Sequence, residues 1–455
     1  MNLEKVNSIY FLGIGGIGMS ALAGYFHHFG KEVMGYDRVS GTMTKRLEAQ
    51  GIAISYQSSL SHLPEKFSST AAADDVMVIY TPAIPKNHEQ LVFFEENNYP
   101  LFKRSEVLGM ISKQGKTIAV AGTHGKTSTS TLIAHLLTAT DFGCNAFLGG
   151  VSVNYDTNLI LKDKHSWNVV EADEYDRSFL QLHPDIAIIT SVDADHLDIY
   201  GSDEAMRETY HEFAHQVVDN GTLLTRSGVD IEVNKKVNQL TYGIDEGDLQ
   251  ANYLRVEDGK FVFEIAGKGL FSSVMPGKHN VENALAAIGV AMDLGIHEDK
   301  IRAALETYEG VKRRFEYHIR MEDLVLIEDY AHHPEEIKAC VEAVRMLYPN
   351  KKITGVFQPH LYSRTQDFAS GFAEALGGLN ELVLLDIYPA REEPIPGITS
   401  DWLLNQIQLN NKIKLENKSL ANHLTTGHHE VIVMMGAGDI EHLVPEVKSS
   451  LLVSR

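Results

Sequence analysis

The sequence predicts an α/β protein built from three domains. At 455 residues the chain is too long for one ordinary core and fits roughly two to four domains. Short apolar runs alternate with helical patterns in three successive stretches, the rhythm of parallel sheets covered by helices. Two glycine-rich loops each stand between an apolar run and a helical pattern.

The first stretch opens with a strand at residues 9–13 (IYFLG), a glycine loop and a helical pattern to about Phe29. Strands follow at residues 32–36 (EVMGY), ending at Asp37, and 75–80 (DVMVIY), ending at Thr81-Pro82. The second stretch starts with a strand at residues 116–121 (KTIAVA) and a helix running to about Thr138, then strands at 167–171 and 186–190. Residues 223–274 hold short strand-like runs broken by Gly and Asp, read as a small antiparallel region, and a long helix fits 281–294. The third stretch has buried-type strands at 324–329, 352–357, 381–386 and 431–435. Domain boundaries fall near residues 108 and 318, giving domains 1–108, 109–318 and 319–455. There is no tandem repeat or low-complexity segment.

Lys plus Arg is 40 against 61 Asp plus Glu, a formal charge of -21. So acidic a chain is a poor general binder of nucleic acid or anionic membrane, although a fold can still make local phosphate sites. The two cysteines, Cys144 and Cys340, form no CxxC pair, which excludes a zinc ribbon or thioredoxin-type motif and fits a reducing compartment. The N-terminal apolar run meets glycines at once and reads as a strand, not a signal peptide. No apolar run is long enough to span a bilayer. A cytoplasmic protein with no nucleic-acid and no membrane partner is the expectation.

The first loop reads Gly13-Ile-Gly15-Gly16-Ile-Gly18. Glycines permit the tight turn and let a diphosphate approach the backbone at a helix N-terminus. Asp37, at the end of the next strand, stands where an acid often meets a ribose hydroxyl. A dinucleotide and a UDP-sugar fit this loop equally, and a plain tight turn with a structural Asp explains it too. The second loop, Gly122-Thr123-His124-Gly125-Lys126-Thr127 followed by Ser128, has the surroundings of a phosphate-binding loop, although Val120 occupies the usual first glycine position. Its amides are suited to cradle phosphate, Lys126 to neutralise β/γ charge, and Thr127 to ligate Mg²⁺. The first and third domains therefore read as Rossmann-like, and the central one as a P-loop-type ATPase α/β domain.

Acidic groups follow two strands of the central stretch, in EADEYD (Glu171 to Asp176) and DADHLD (Asp193 to Asp198). Strand carboxyl ends line the ligand crevice of an open α/β sheet, so carboxylates and an imidazole there are placed to hold Mg²⁺ against phosphates. Most of these acids are expected to be solvated; Glu171 and His196 are the exceptions. Asn280 and Asn283 share one helix face and are able to read a base edge, with an N-cap at Asn280 as the plainer account. Arg313 and Arg314 suit a phosphate or carboxylate, or a basic surface. Polar clusters follow two strands of the third stretch: Asp329, Tyr330, His332 and His333 after one, and His360 and Arg364 after the next. They lack metal-helix spacing and point to a substrate site.

Taken in order, GIGGIGMS, GTHGKTS, EADEYDRSFL, DADHLDIY, PGKHNVENALAA, GVKRRFE, DYAHHPEE and FQPHLYSRT resemble the Mur ligase family over nearly the whole chain. The resemblance implies a UDP-binding domain, a central ATPase domain and a C-terminal domain that admits an amino acid. It implies an ATP site of Gly122, Thr123, Gly125, Lys126, Thr127, Ser128, Asn280, Asn283, Arg314 and Asp329. Asn280 and Asn283 stand as adenine readers, and Asp329 as the ribose aspartate. It implies Mg²⁺ ligands Thr127, Glu171 and His196, and a UDP-sugar site of Gly13, Gly15, Gly16, Gly18, Asp37, His124 and Arg313. The amino acid falls to Tyr330, His332, His360 and Arg364, and catalysis to Lys126, Glu171, His196 and His332. Thr81-Pro-Ala-Ile84 stands where many relatives have Ser-Ser-Ala-Ile, and Leu361 where an arginine is common. Between Asp198 and Leu224 there is no lysine, so the carbamylated lysine of several relatives is excluded, in keeping with the alanine-adding branch.

The implied activity is ATP- and Mg²⁺-dependent ligation of L-alanine to the lactyl carboxylate of UDP-N-acetylmuramic acid through an acyl phosphate, in cell-wall (peptidoglycan) precursor synthesis. Loss of Lys126 is expected to remove most activity and leave the fold intact. The branch that recycles a preformed tripeptide onto the same sugar nucleotide remains an alternative. Folylpolyglutamate synthetases share the central fold without needing the first loop. An NAD-dependent oxidoreductase leaves GTHGKTS unexplained, and a non-enzymatic nucleotide switch leaves the third-stretch clusters unexplained.

Overall fold

A computed structural model describes the chain except residues 1–2, 70–74, 165, 194–196, 232, 234–235, 391 and 454–455. The chain divides into two compact units, residues 1–249 with 285–304, and residues 250–284 with 305–455.

The first unit carries two sheets. Strands β1 (Ser8–Leu12), β2 (Glu32–Tyr36), β3 (Ala53–Ser55), β4 (Val76–Tyr80) and β5 (Leu101–Lys103) form a parallel sheet in the order β3-β2-β1-β4-β5. Every residue of β1 is buried, as a strand covered on both faces requires. The order reverses direction at β1, the topological switch point at which open α/β sheets bind ligands.

The second sheet holds β6 (Thr117–Ala121), β7 (Cys144–Ser152), β8 (Thr157–Ile160), β9 (Trp167–Glu171), β10 (Ile186–Ile189), β11 (Thr222–Arg226) and β12 (Asn238–Ile244). Within this unit their order is β12-β11-β10-β6-β9-β7-β8, parallel except for the β7–β8 hairpin. Here β6 is the switch strand, and all five of its residues are buried. The expectation of an antiparallel region over 223–274 needs correction: β11 and β12 extend the parallel sheet. Short runs broken by Gly and Asp do not reveal which way a strand's neighbour runs, because strand direction is set by the connections.

One apolar core runs through both sheets of this unit, from Leu3 and Phe26 to Phe147, Phe179 and Phe213. The helix Ile17–His28 packs on the β7–β8 hairpin: the Tyr25 and Phe147 rings lie 5.2 Å apart, and Asn158 Nδ2 donates to Ile17 O (2.6 Å) and Ser20 Oγ (3.2 Å).

The second unit holds the meander β13 (Leu249–Glu257), β14 (Lys260–Ile265) and β15 (Gly269–Ser273), which is antiparallel as expected. It also holds the sheet of β16 (Glu316–Arg320), β17 (Val325–Asp329), β18 (Ile353–Phe357), β19 (Glu381–Leu384), β20 (Lys412–Lys414) and β21 (Val431–Met435). The order is β16-β17-β21-β18-β19-β20, with only the β16 edge antiparallel. β18 and β21 are buried throughout. Asp329, Met435 and Phe357 are register partners, so the loops that follow three strands leave one sheet edge together. Among the described residues no helix is long and apolar enough to cross a membrane.

Candidate active site

The first loop is shaped by its backbone. Gly13 has φ +84, and a Cβ there would lie 2.6 Å from Thr81 Cγ2. The Gly13 and Ile14 amides donate to Tyr36 O, at 2.8 and 3.0 Å. Asp37 Oδ2 accepts the Gly15 amide at 2.7 Å, and Oδ1 accepts the Val39 amide at 3.2 Å. Asp37 therefore clamps the loop it faces. Gly16 is the N-cap of the helix Ile17–His28 and supplies no side-chain cap.

The second loop is held the same way and then charged. Gly122 has φ +134, and a Cβ would sit 2.0 Å from Thr190 Oγ1. Gly125 caps the helix Lys126–Ala139 at φ +81. Thr123 Oγ1 and Ser191 Oγ lie 2.8 Å apart, Ser191 Oγ accepts the His124 amide at 2.9 Å, and Thr190 Oγ1 donates to His124 O at 2.5 Å. Ser128 lies in the first turn of this helix. Val120 lies inside β6, paired with Glu171 of β9, so the loop is shorter than the full phosphate-loop pattern.

Lys126 Nζ donates to Gly122 O (2.5 Å), Thr123 O (3.3 Å) and Glu174 Oε1 (2.8 Å). Burial disfavours its ammonium, but the Glu174 carboxylate, with Glu171 and Asp173 behind it, outweighs that and holds the lysine pKa above its ordinary value. Burial pushes both Glu171 and Glu174 above the usual carboxylate range, against the pull of Lys126. Thr127 Oγ1 donates to Glu171 Oε1 at 3.0 Å, and the Gly149 amide donates to Oε2 at 3.0 Å.

A cleft runs from the first loop to Glu171, the residue that bonds Thr127 of the second loop. It is lined by Gly16, Ile17, Gly18 and Thr81 on one side and by Gly149, Glu171 and Asp173 on the other, with Arg104 among them. Glu171 is thus both a wall of this cleft and a hydrogen-bond partner of the lysine loop.

In the second unit, Asn283 Nδ2 donates to Asn280 Oδ1 (3.1 Å) and Asn280 Nδ2 to Pro276 O (2.7 Å), which places both amides on one face of the helix Lys278–Asp293. Asn280 lies within the helix, not at its cap. Asp329 accepts amides from Phe315 (2.8 Å) and Ala331 (2.7 Å), and burial raises its pKa to about 6. Two guanidiniums lie near the centre of the Tyr330 ring, Arg313 at 4.8 Å and Arg314 at 5.0 Å. His332 Nδ1 lies 2.9 Å from Tyr330 O. A carbonyl only accepts, so Nδ1 carries the proton and a neutral ring keeps its lone pair on Nε2. Burial lowers the His332 pKa and favours that neutral form. The rings of His332 and His360 are 5.9 Å apart, and Arg364 lies on the short helix Tyr362–Asp367 that follows.

Arg313, expected at the sugar nucleotide, is engaged within its own unit. Its guanidinium is committed to Glu328 (3.1 Å), Glu441 (2.9 Å), Gly436 O (3.1 Å) and Gly438 O (3.4 Å), so it clasps a loop of its own unit. His196 lies outside the described residues. Sequence reasoning passed over Glu174, only 2% exposed and paired with the lysine. It also passed over Gly149, where a Cβ would come within 2.3 Å of the Glu171 carboxylate. The signal for Gly149 was two adjacent glycines inside a strand, a mark of close approach; nothing in the sequence separated Glu174 from its acidic neighbours.

Comparisons with known proteins place this geometry. The Mur ligase family catalytic domain matches residues 8–116, the Mur ligase middle domain 120–291, and the Mur ligase glutamate ligase domain 313–440. UDP-N-acetylmuramate–L-alanine ligase of Cytophaga hutchinsonii is 46% identical over 98% of this chain and 97% of its own length. The crystal structure of UDP-N-acetylmuramate-alanine ligase MurC from Thermotoga maritima superposes with a TM-score of 0.79 at 26% identity, covering 98% of this chain and 100% of that one. A murein peptide ligase from Psychrobacter arcticus, 22% identical with TM-score 0.68 over 98% of both chains, shares the fold. The chain belongs to the Mur ligase family of three-domain, ATP-dependent ligases.

Proposed function

We propose that this chain joins L-alanine to the lactyl carboxylate of UDP-N-acetylmuramic acid at the expense of ATP, in the cytoplasm, as a step of peptidoglycan precursor synthesis. The observation that carries the reading is the cleft running from Gly16 and Gly18 to Glu171, whose carboxylate is bonded to Thr127 of the ATP loop. A sugar acid anchored at the first loop then reaches a triphosphate anchored at the second.

A carboxylate is a poor acyl donor because its leaving group would be oxide. One carboxylate oxygen attacks the γ-phosphorus, ADP departs, and the product is an acyl phosphate. The alanine amine attacks the acyl carbon, phosphate leaves from the tetrahedral intermediate, and the amine loses a proton. Lys126 supplies fixed positive charge against the repulsion between carboxylate and triphosphate. The hydroxyl of Thr127 and the carboxylate of Glu171, 3.0 Å apart, are the hard oxygen donors Mg²⁺ prefers. They would hold it with His196, and it would supply further charge to the phosphates. Asn280, Asn283, Arg314 and Asp329 are assigned to the nucleotide, and Tyr330, His332, His360 and Arg364 to the amino acid. Neutral His332, with its Nε2 lone pair, suits the amine proton. Domain limits of 1–108, 109–318 and 319–455 belong to the same proposal.

The test is ADP release from ATP, Mg²⁺ and UDP-N-acetylmuramic acid. Release that depends on L-alanine supports the reading. Dependence on the L-alanyl tripeptide instead would assign the recycling activity, and release indifferent to both would refute ligation.

A further inference from the structure

Arg104 opens the helix Arg104–Gln114 and lines the cleft that runs from the first loop to Glu171 and Asp173. Its Nη2 donates to Asp173 Oδ2 at 3.1 Å. Its Nη1 lies 2.5 Å from where a Cβ on Gly18 would be. Gly18 is therefore the residue that admits a guanidinium to the first turn of the helix Ile17–His28. Among the described residues that line the cleft, Arg104 is the only lysine or arginine, while Glu171 and Asp173 bring two carboxylates. An anionic sugar nucleotide entering a cleft with two carboxylates needs a cation there, because the partial charge of a helix terminus is about half a unit. The planar fork of arginine suits phosphate or carboxylate, and here one arm is braced by Asp173 while the other faces the glycine loop.

We propose that Arg104 is a binding residue for an anionic group of the sugar nucleotide, its diphosphate or its lactyl carboxylate, aimed by Asp173. This rests on the function proposed above and adds a contact that the glycine-loop motif does not contain. Calorimetric titration of the wild type, Arg104→Ala and Arg104→Lys with UDP, UDP-N-acetylglucosamine and UDP-N-acetylmuramic acid tests it, with ATP as the control ligand. Arg104→Ala is expected to bind about 10–100-fold more weakly, the scale of a lost charged hydrogen bond, with ATP affinity held within two-fold and partial recovery in Arg104→Lys. Weakening toward all three ligands assigns the diphosphate; weakening toward the muramic acid ligand alone assigns the carboxylate. Unchanged affinity for all three overturns the proposal. So does an equal loss of ATP affinity and melting temperature, which would make Arg104 a structural pin. A wild type that fails to bind UDP-N-acetylmuramic acid would instead sink the proposed function itself.

Discussion

Residues 13–18 and 122–128 each leave the carboxyl end of a switch strand and enter a helix, and each needs glycine at positive φ to make the turn. They differ in what faces them. The first loop has no lysine, and its acid, Asp37, accepts a loop amide. The second loop carries Lys126 against Glu174, a carboxylate buried to 2% exposure. One loop is organised by hydrogen bonds at modest electrostatic cost. The other keeps opposite charges out of water, where each is tolerable only while the other is present. A diphosphate that serves as an anchor suits the first arrangement, and a triphosphate that gives up its terminal group suits the second.

The largest effect that would break this contrast concerns the buried pair. Lys126→Ala is expected to lower turnover by about 10²–10³-fold, the scale of losing one preorganised electrostatic contact. It is also expected to destabilise the fold by roughly 3–5 kcal/mol, because the Glu174 carboxylate is left buried and alone. That revises the sequence-based expectation of an intact fold. Urea denaturation of Lys126→Ala and of Lys126→Ala/Glu174→Gln checks it: the second change should restore stability and not turnover. Equal midpoints for the single variant and the wild type would show that the pair costs as much as it contributes.

Gly149→Ala comes next. Its methyl group meets the Glu171 carboxylate, an overpacking worth about 1–3 kcal/mol, and turns that carboxylate away from Thr127. The expected result is a fall in kcat with a higher Mg²⁺ concentration for half-maximal turnover and little change in UDP affinity. A weakened UDP affinity of the same size would mean the two loops are not separable.

The smallest effect belongs to the first loop. Asp37→Ala removes one acceptor from the Gly15 amide and should weaken UDP binding about ten-fold, with Asp37→Asn intermediate and ATP affinity unchanged. An Asp37→Ala protein that binds UDP like the wild type would remove the clamp from the comparison.

Much of this was legible in the sequence because the signals are local. IYFL, TIAVA and VIVMM are runs that only a strand buried on both faces tolerates, and each glycine loop sits directly between strand and helix. The long strand β7 was missed, since CNAFLGGVS mixes apolar residues with two glycines and Asn145. The direction of β11 and β12 was missed because it depends on which neighbour the chain returns to. Lys126, Thr127 and Glu171 could be picked out as candidates from motif and position, and the structure brings their side chains together. Arg104 and Glu174 could not, since their importance comes from contacts 69 and 48 residues away in the chain. The acceptors of Arg313, Glu328 and Glu441, were hidden for the same reason: they lie far along the chain from the basic triplet.

The packing of Ile17–His28 on the β7–β8 hairpin limits how this molecule is divisible. A transplant of residues 8–116 into a relative would set Tyr25 and Ser20 against foreign partners for Phe147 and Asn158. A cut near residue 116 therefore runs through a packed core. A chimaera that carries the hairpin together with the first sheet is expected to keep these contacts.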